Sequence, residues 1–91
     1  MITTSRYSSV KTREFARKIA GKLRTFYVSR GKKTIDGIAE HARKKGEPEV
    51  IVVEEEDGKP ANIAFMEISE TGAWKWTRKI TVKEYEKQMR S

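Results

Sequence analysis

Cysteine is absent from this sequence, and histidine occurs once and proline twice in 91 residues. Without thiols there is no disulfide framework and no thiolate metal site, and the lone His41 has no second imidazole with which to complete a zinc site. No apolar run approaches the roughly 20 residues needed to cross a bilayer. The N-terminus also lacks the apolar core of a signal peptide. These absences lead us to expect a soluble, cytoplasmic chain with no membrane partner. The GxxxxGK[ST] spacing of a nucleotide-triphosphate loop is missing too, since Arg30-Gly31-Lys32-Lys33-Thr34 carries one glycine and specifies no phosphate-cradling backbone nest. Ser5, Asp36 and His41 supply residue types of a nucleophilic triad but no spacing that defines one. The acidic run Glu54-Glu55-Glu56-Asp57 reads as a charged hairpin turn rather than a set of converging cation ligands. The expectation is therefore a non-catalytic protein without metal or cofactor.

Positive charge is abundant, and it is unevenly placed. Residues 1–46 hold 13 Lys and Arg against 3 Asp and Glu, a net of +10, whereas residues 47–91 hold 7 against 10, a net of −3; together they give the formal +7. Local field steers a phosphate chain more than total charge does, so the first half attracts polyanions. The second half is free to face solvent or basic proteins.

Ninety-one residues make a single domain, residues 1–91, able to bury roughly 60–65% of its unfolded surface and thus one modest core. The short stretch Met1-Ile2-Thr3-Thr4 fits a strand, and Ser5 to Ser9 a polar turn in which a serine caps the first helix. From Val10 to Leu23, Thr12, Phe15, Ala16, Ile19, Ala20 and Leu23 recur at helical spacing, with Gly21 weakening the last turn. Thr25 to Ser29 alternates like a second strand, and a cationic turn then feeds the helical pattern Ile35, Ile38, Ala39, Ala42. Thr34 is its expected cap, Arg43-Lys44-Lys45 complement its dipole, and Gly46 stops it. Val50 to Val53 is apolar at every position, as in a central strand covered on both faces. Beyond the acidic turn, Asn62 to Ile68 reads as its antiparallel partner, with Ile63 and Phe65 on one face and Ala64, Met66 and Ile68 on the other. After the turn at Glu70-Thr71-Gly72, Trp74 and Trp76 share one face of a further strand. Thr81 with Glu84 forms a capping-box pattern before a last helix whose apolar side is Val82, Tyr85 and Met89. The expected architecture is α/β: a mixed sheet with helices packed on it, an α/β sandwich.

Two bends collect the candidate binding residues. If the first two strands are parallel, the loop after each emerges at the same sheet edge, which brings Ser5 and Arg6 beside Arg30, Gly31, Lys32 and Lys33. Serine hydroxyls can reach phosphate or a 2′-OH, and arginine makes the stronger charge-assisted contact. Lys11 and Arg13 extend the charged surface. No base-reading pattern accompanies them, so the expected contact is phosphate and sugar of structured RNA. Trp74 and Trp76 could stack on bases, fill a core or seal an interface. They supply the competing reading, a protein-interaction module using the basic face and the Trp74/Trp76 strand.

Several segments taken together resemble the N-terminal part of archaeal Brix-domain proteins of the Imp4-like ribosome-biogenesis group. They are Met1-Ile2-Thr3-Thr4-Ser5-Arg6 with its serine-rich turn, the helix containing Phe15, Tyr27 to Thr34, Val50 to Val53, and Gly58-Lys59-Pro60-Ala61-Asn62-Ile63, which span most of residues 1–68. The resemblance implies a factor in ribosomal RNA processing and ribosome assembly rather than an RNA-cleaving enzyme. Its partners would be ribosomal RNA or a pre-ribosomal particle, and ribosomal or assembly proteins. It also implies a domain of two related α/β halves, each similar to the anticodon-binding domain of some aminoacyl-tRNA synthetases; this chain is long enough for the first half. Arg6, Arg30, Gly31, Lys32 and Lys33 are the RNA-surface residues that the resemblance carries over.

Overall fold

The apolar run from Val50 to Val53 lies at the centre of the protein, in a computed structural model that describes residues 1–90, with side chains through Gln88. The elements are β1 (Ile2–Thr4), α1 (Val10–Lys22), α2 (Ile35–Lys44), β2 (Glu49–Glu56), β3 (Lys59–Ile68), β4 (Trp74–Thr81) and α3 (Val82–Arg90). The four strands form one sheet in the order β1-β2-β3-β4. β1 runs parallel to β2, pairing Ile2 with Ile51 and Thr4 with Val53, and the remaining pairs are antiparallel.

Every residue of the apolar run is buried because helices cover both faces of the sheet. On one face Val50, Val52, Met66 and Ile68 pack with Ile38, Ala39 and Ala42 of α2. On the other, Ile51, Val53, Ile63 and Ile80 pack with Ala16, Ile19 and Ala20 of α1, and with Val82 and Tyr85 of α3. Phe15 and Tyr85 meet edge-on, with ring centroids 6.3 Å apart, and so join the two helices of that face. A register shift between Phe65 and Met66 lets Trp74 and Trp76 fall opposite Ile68 and Met66, on the α2 side. Arg78 lies opposite Phe65 and its guanidinium covers that ring at 4.6 Å.

Three expectations need correction. Thr25 to Ser29 is not a full strand: only Tyr27 bridges, parallel to Ile2, through Ile2 N–H to Phe26 O (2.9 Å) and Val28 N–H to Ile2 O (2.8 Å). The segment lies at the open edge beside the three-residue β1, so its ladder has no room to lengthen. Leu23 does not extend the apolar face of α1. Arg24 turns left-handed (φ 55°), Thr25 N–H bonds to Ala20 O and Arg24 N–H to Gly21 O, and the helix closes with Leu23 exposed. Gly46 closes α2 with the same bonding pattern, in agreement with the stop expected from sequence. Finally, the acidic run is not a loop, since Glu54 to Glu56 continue β2 and only Asp57 and Gly58, both at positive φ, make the turn. Glu54 meets Lys79 at 2.9 Å, and Glu55 accepts the Ser9 backbone N–H, which disperses the like charge.

The three expected caps form, Ser9 being the serine that caps α1. Thr34 Oγ1 accepts from Gly37 N–H at 3.1 Å, and Thr81 Oγ1 accepts from Glu84 N–H at 3.1 Å. The expectation for Met89 lies outside the described side chains. Among the described residues no helix is long and apolar enough to cross a membrane.

Candidate nucleic-acid interface

The parallel placement of β1 and residues 26–28 sends both succeeding loops out at one end of the sheet. The first leaves β1 with Ser5 N–H donating to Val53 O at 2.9 Å. Within it the Thr4 hydroxyl donates to Ser5 O (3.0 Å) and lies 2.8 Å from the Ser8 hydroxyl, which pins the bend from inside. The second loop turns at Gly31, whose φ of 54° suits glycine, and Lys33 N–H closes it onto Arg30 O at 3.2 Å.

Arg30 ties the two loops together. Its side chain is buried, with the residue only 5% exposed; Nε donates to Lys33 O at 2.6 Å and Nη1 donates to Thr4 O at 2.9 Å. No carboxylate among the described residues pairs with it. Burial, and next the positive charge of Arg6, pull its pKa below the ordinary arginine value. Arginine stays charged even so, and a buried charge without a counter-ion attracts an anion.

A cleft of about 270 Å³ opens at this junction. Thr4, Ser5, Tyr7 and Ser8 line it from the first loop, Ser29, Arg30, Gly31 and Lys32 from the second, and Arg13 from α1. Of the residues expected from sequence, Ser5, Arg13, Arg30, Gly31 and Lys32 meet here. Arg6 instead lies over the Tyr7 ring, 5.4 Å from its centroid. Lys11 and Lys33 are exposed but do not line the cleft. Thr4, Tyr7, Ser8 and Ser29 line the cleft as well without standing among the site residues expected from sequence; Tyr7 and Ser8 lie in the candidate loop from Ser5 to Ser9, but that stretch reads as a polar turn that singles out neither. Larger hollows, about 390 Å³, open beside Glu47, Pro48 and Glu70 and beside Met1, Glu47 and Glu49. Each mixes charges, two glutamates against Arg43 in the first and against the Met1 ammonium in the second, so neither gathers cations as the junction of the two loops does.

The start of α1 is not an open anion site, although a helix N-terminus often is. Ser9 caps it, accepting from Thr12 N–H at 3.3 Å, and the Glu55 carboxylate accepts Ser9 N–H with both oxygens at 2.9 Å. The Ser9 hydroxyl also donates to Gly58 O at 2.8 Å, which joins α1 to the β2–β3 hairpin. Ser9→Ala is therefore expected to destabilise the fold by about 1 kcal/mol in urea unfolding. A wild-type midpoint for that variant would show that the cap contributes nothing.

The tryptophans stand apart from the cleft. Trp74 packs against the α2 cluster and donates its indole N–H to Asp36 Oδ1 at 2.7 Å, beside the start of α2. Trp76 meets it edge-on at 5.7 Å and stays 44% exposed. Among the described residues no group of three or more His, Asp or Glu side chains could hold a metal ion.

Comparison with solved structures adds a second line of evidence. Mil, an archaeal Imp4-like protein, matches with a TM-score of 0.66 and 34% identity over 80% of this chain and 45% of that one. The chain is structurally similar to Imp4-like ribosome-biogenesis proteins. A probable ribosomal biogenesis protein from Aeropyrum pernix K1 matches with a TM-score of 0.80 and 26% identity, over 90% of this chain and 46% of its own. The chain thus spans under half the length of either relative. No family model and no curated protein matches the sequence.

Proposed function

We propose that this protein is a non-catalytic RNA-binding factor in ribosomal RNA processing and ribosome assembly, and that it grips phosphate and sugar of structured RNA at the cleft between its two basic loops. The observation that carries the reading is Arg30, a buried cation with no acidic partner among the described residues, at the junction of two loops that also present Arg13 and Lys32. The similarity to ribosome-biogenesis proteins supports the same class of partner. Ribosomal or assembly proteins would be further partners, met through the more acidic second half.

Arg13 and Lys32 are the residues to test, because among the described residues the side chain of neither makes a hydrogen bond or ion pair. Removing both, Arg13→Ala with Lys32→Ala, is expected to leave thermal unfolding unchanged and to weaken binding of a ribosomal RNA fragment. The slope of log affinity against log salt should flatten by about 1.5, the loss of two phosphate contacts. An unchanged affinity and slope would remove the cleft from the reading. A protein-interaction role for the Trp76 face is favoured only by that ring's exposure. It predicts that an acidic peptide, rather than RNA, saturates binding.

A further inference from the structure

Tyr7 has no structural use that its residue type explains. Its backbone sits at φ 55°, a left-handed conformation that disfavours a residue with a Cβ. Glycine or asparagine would suit the bend better. The side chain adds little in return, being 74% exposed and outside both apolar clusters. The loop that carries it is nonetheless fixed on both sides. Ser5 N–H is bonded to Val53 O, the Thr4 and Ser8 hydroxyls meet, and Glu55 holds Ser9. A rigid loop thus presents a strained, solvent-facing aromatic ring at the wall of a cationic cleft. Strain of this kind, where the surroundings hold it in place, marks sites of function.

The ring has a cation on one side only. The Arg6 guanidinium lies over it at 5.4 Å, with Nη2 3.5 Å from the phenol oxygen, and the high exposure leaves the opposite face open. A flat π-system backed by a guanidinium is a platform on which a nucleobase stacks, and base stacking on an aromatic side chain tolerates any base identity. Across the cleft, Arg30 and Lys32 present the charge that a phosphate needs.

We infer that the cleft takes one unpaired nucleotide of a folded RNA, its base stacked on the open face of Tyr7 and its phosphate held between Arg13, Arg30 and Lys32. The inference rests on the RNA-binding reading above and narrows it. A base inside a continuous helix has both faces covered by its neighbours, so the Tyr7 ring selects bulges, loops or ends over uninterrupted duplex.

The test uses two RNA duplexes of the same sequence, one fully paired and one carrying a single bulged 2-aminopurine. Wild-type protein should bind the bulged duplex roughly tenfold more tightly and quench the 2-aminopurine fluorescence. Tyr7→Gly suits the local backbone and should unfold no more easily than wild type, yet bind both duplexes alike without quenching. Tyr7→Phe should retain the preference and the quenching. If Tyr7→Gly keeps both, or if wild type binds the two duplexes equally, the stacking inference is overturned while RNA binding stands. If wild type binds neither duplex nor a ribosomal RNA fragment, the proposed function and the inference fall together.

Discussion

Arg30→Ala is expected to lower stability by about 2–3 kcal/mol and the melting temperature of a domain this size by roughly 8–24 °C. The substitution removes two hydrogen bonds from a charged donor and strands the Thr4 carbonyl, which belongs to a residue that is 1% exposed. Deleting a buried cation also relieves its own desolvation, which places the figure below the sum of two charged hydrogen bonds. Arg30→Lys should recover only part of the loss, because one ammonium on a flexible stem cannot span the Thr4 and Lys33 carbonyls as a planar fork does. RNA affinity should fall with the fold in both variants. Lys32→Ala serves as the contrast, expected to bind less and melt as wild type. If Arg30→Ala melts like wild type in a calorimeter, its role as the tie between loops is wrong. A combined charge-removal variant that includes Arg30 would therefore confound binding with unfolding, and the site is better tested without it.

Ile38→Ala should cost about 3–4 kcal/mol, a large part of the stability a domain this size commonly has. α2 is a ten-residue helix, too short to persist without tertiary contacts. Ile38 is its one large fully buried side chain; its other buried residues are Ala39 and Ala42. Losing the isoleucine opens a void against Val50, Val52 and Met66, all central strand residues that cannot easily collapse into it. The second basic loop runs directly into the Thr34 cap of this helix, so loosening α2 also loosens the cleft. Ile38→Val should lose only about 1 kcal/mol. Urea unfolding decides the matter, and equal midpoints for the alanine and valine variants would show that α2 is anchored elsewhere.

Most of the architecture can be read in the residue pattern because periodicity and burial agree. Val50 to Val53 is apolar on every position and is covered on both faces, and Ile63 and Phe65 separate from Met66 and Ile68 as alternation requires. The convergence of the two loops comes from placing the first strand parallel to residues 26–28, although that pairing is a single bridge. Tertiary partners decide the rest. Four acidic residues in a row read as solvated turn, but Lys79 and the Ser9 amide stabilise Glu54 and Glu55 within the strand. Arg30 lies in a run of cations that looks uniformly exposed, and only the Thr4 carbonyl, 26 positions away in sequence, draws it inside. One clue is present, that Arg rather than Lys stands where a planar fork can serve two carbonyls. For Tyr7 the sequence places the residue in the bend from Ser5 to Ser9, but a left-handed backbone under an aromatic residue leaves no mark in the residue pattern.

The position of β1 has a bearing on synthesis. This three-residue strand lies between residues 26–28 and β2, and its main hydrogen-bonding partner spans Ile51 to Val53. At about 5–20 residues per second, the ribosome makes that partner roughly 2–10 s after β1 itself. Through that interval Met1 to Thr4 has no ladder to join on the β2 side, and the cleft residues that depend on it have no fixed wall. The cleft end of the molecule is therefore completed only once Ile51 to Val53 have been made.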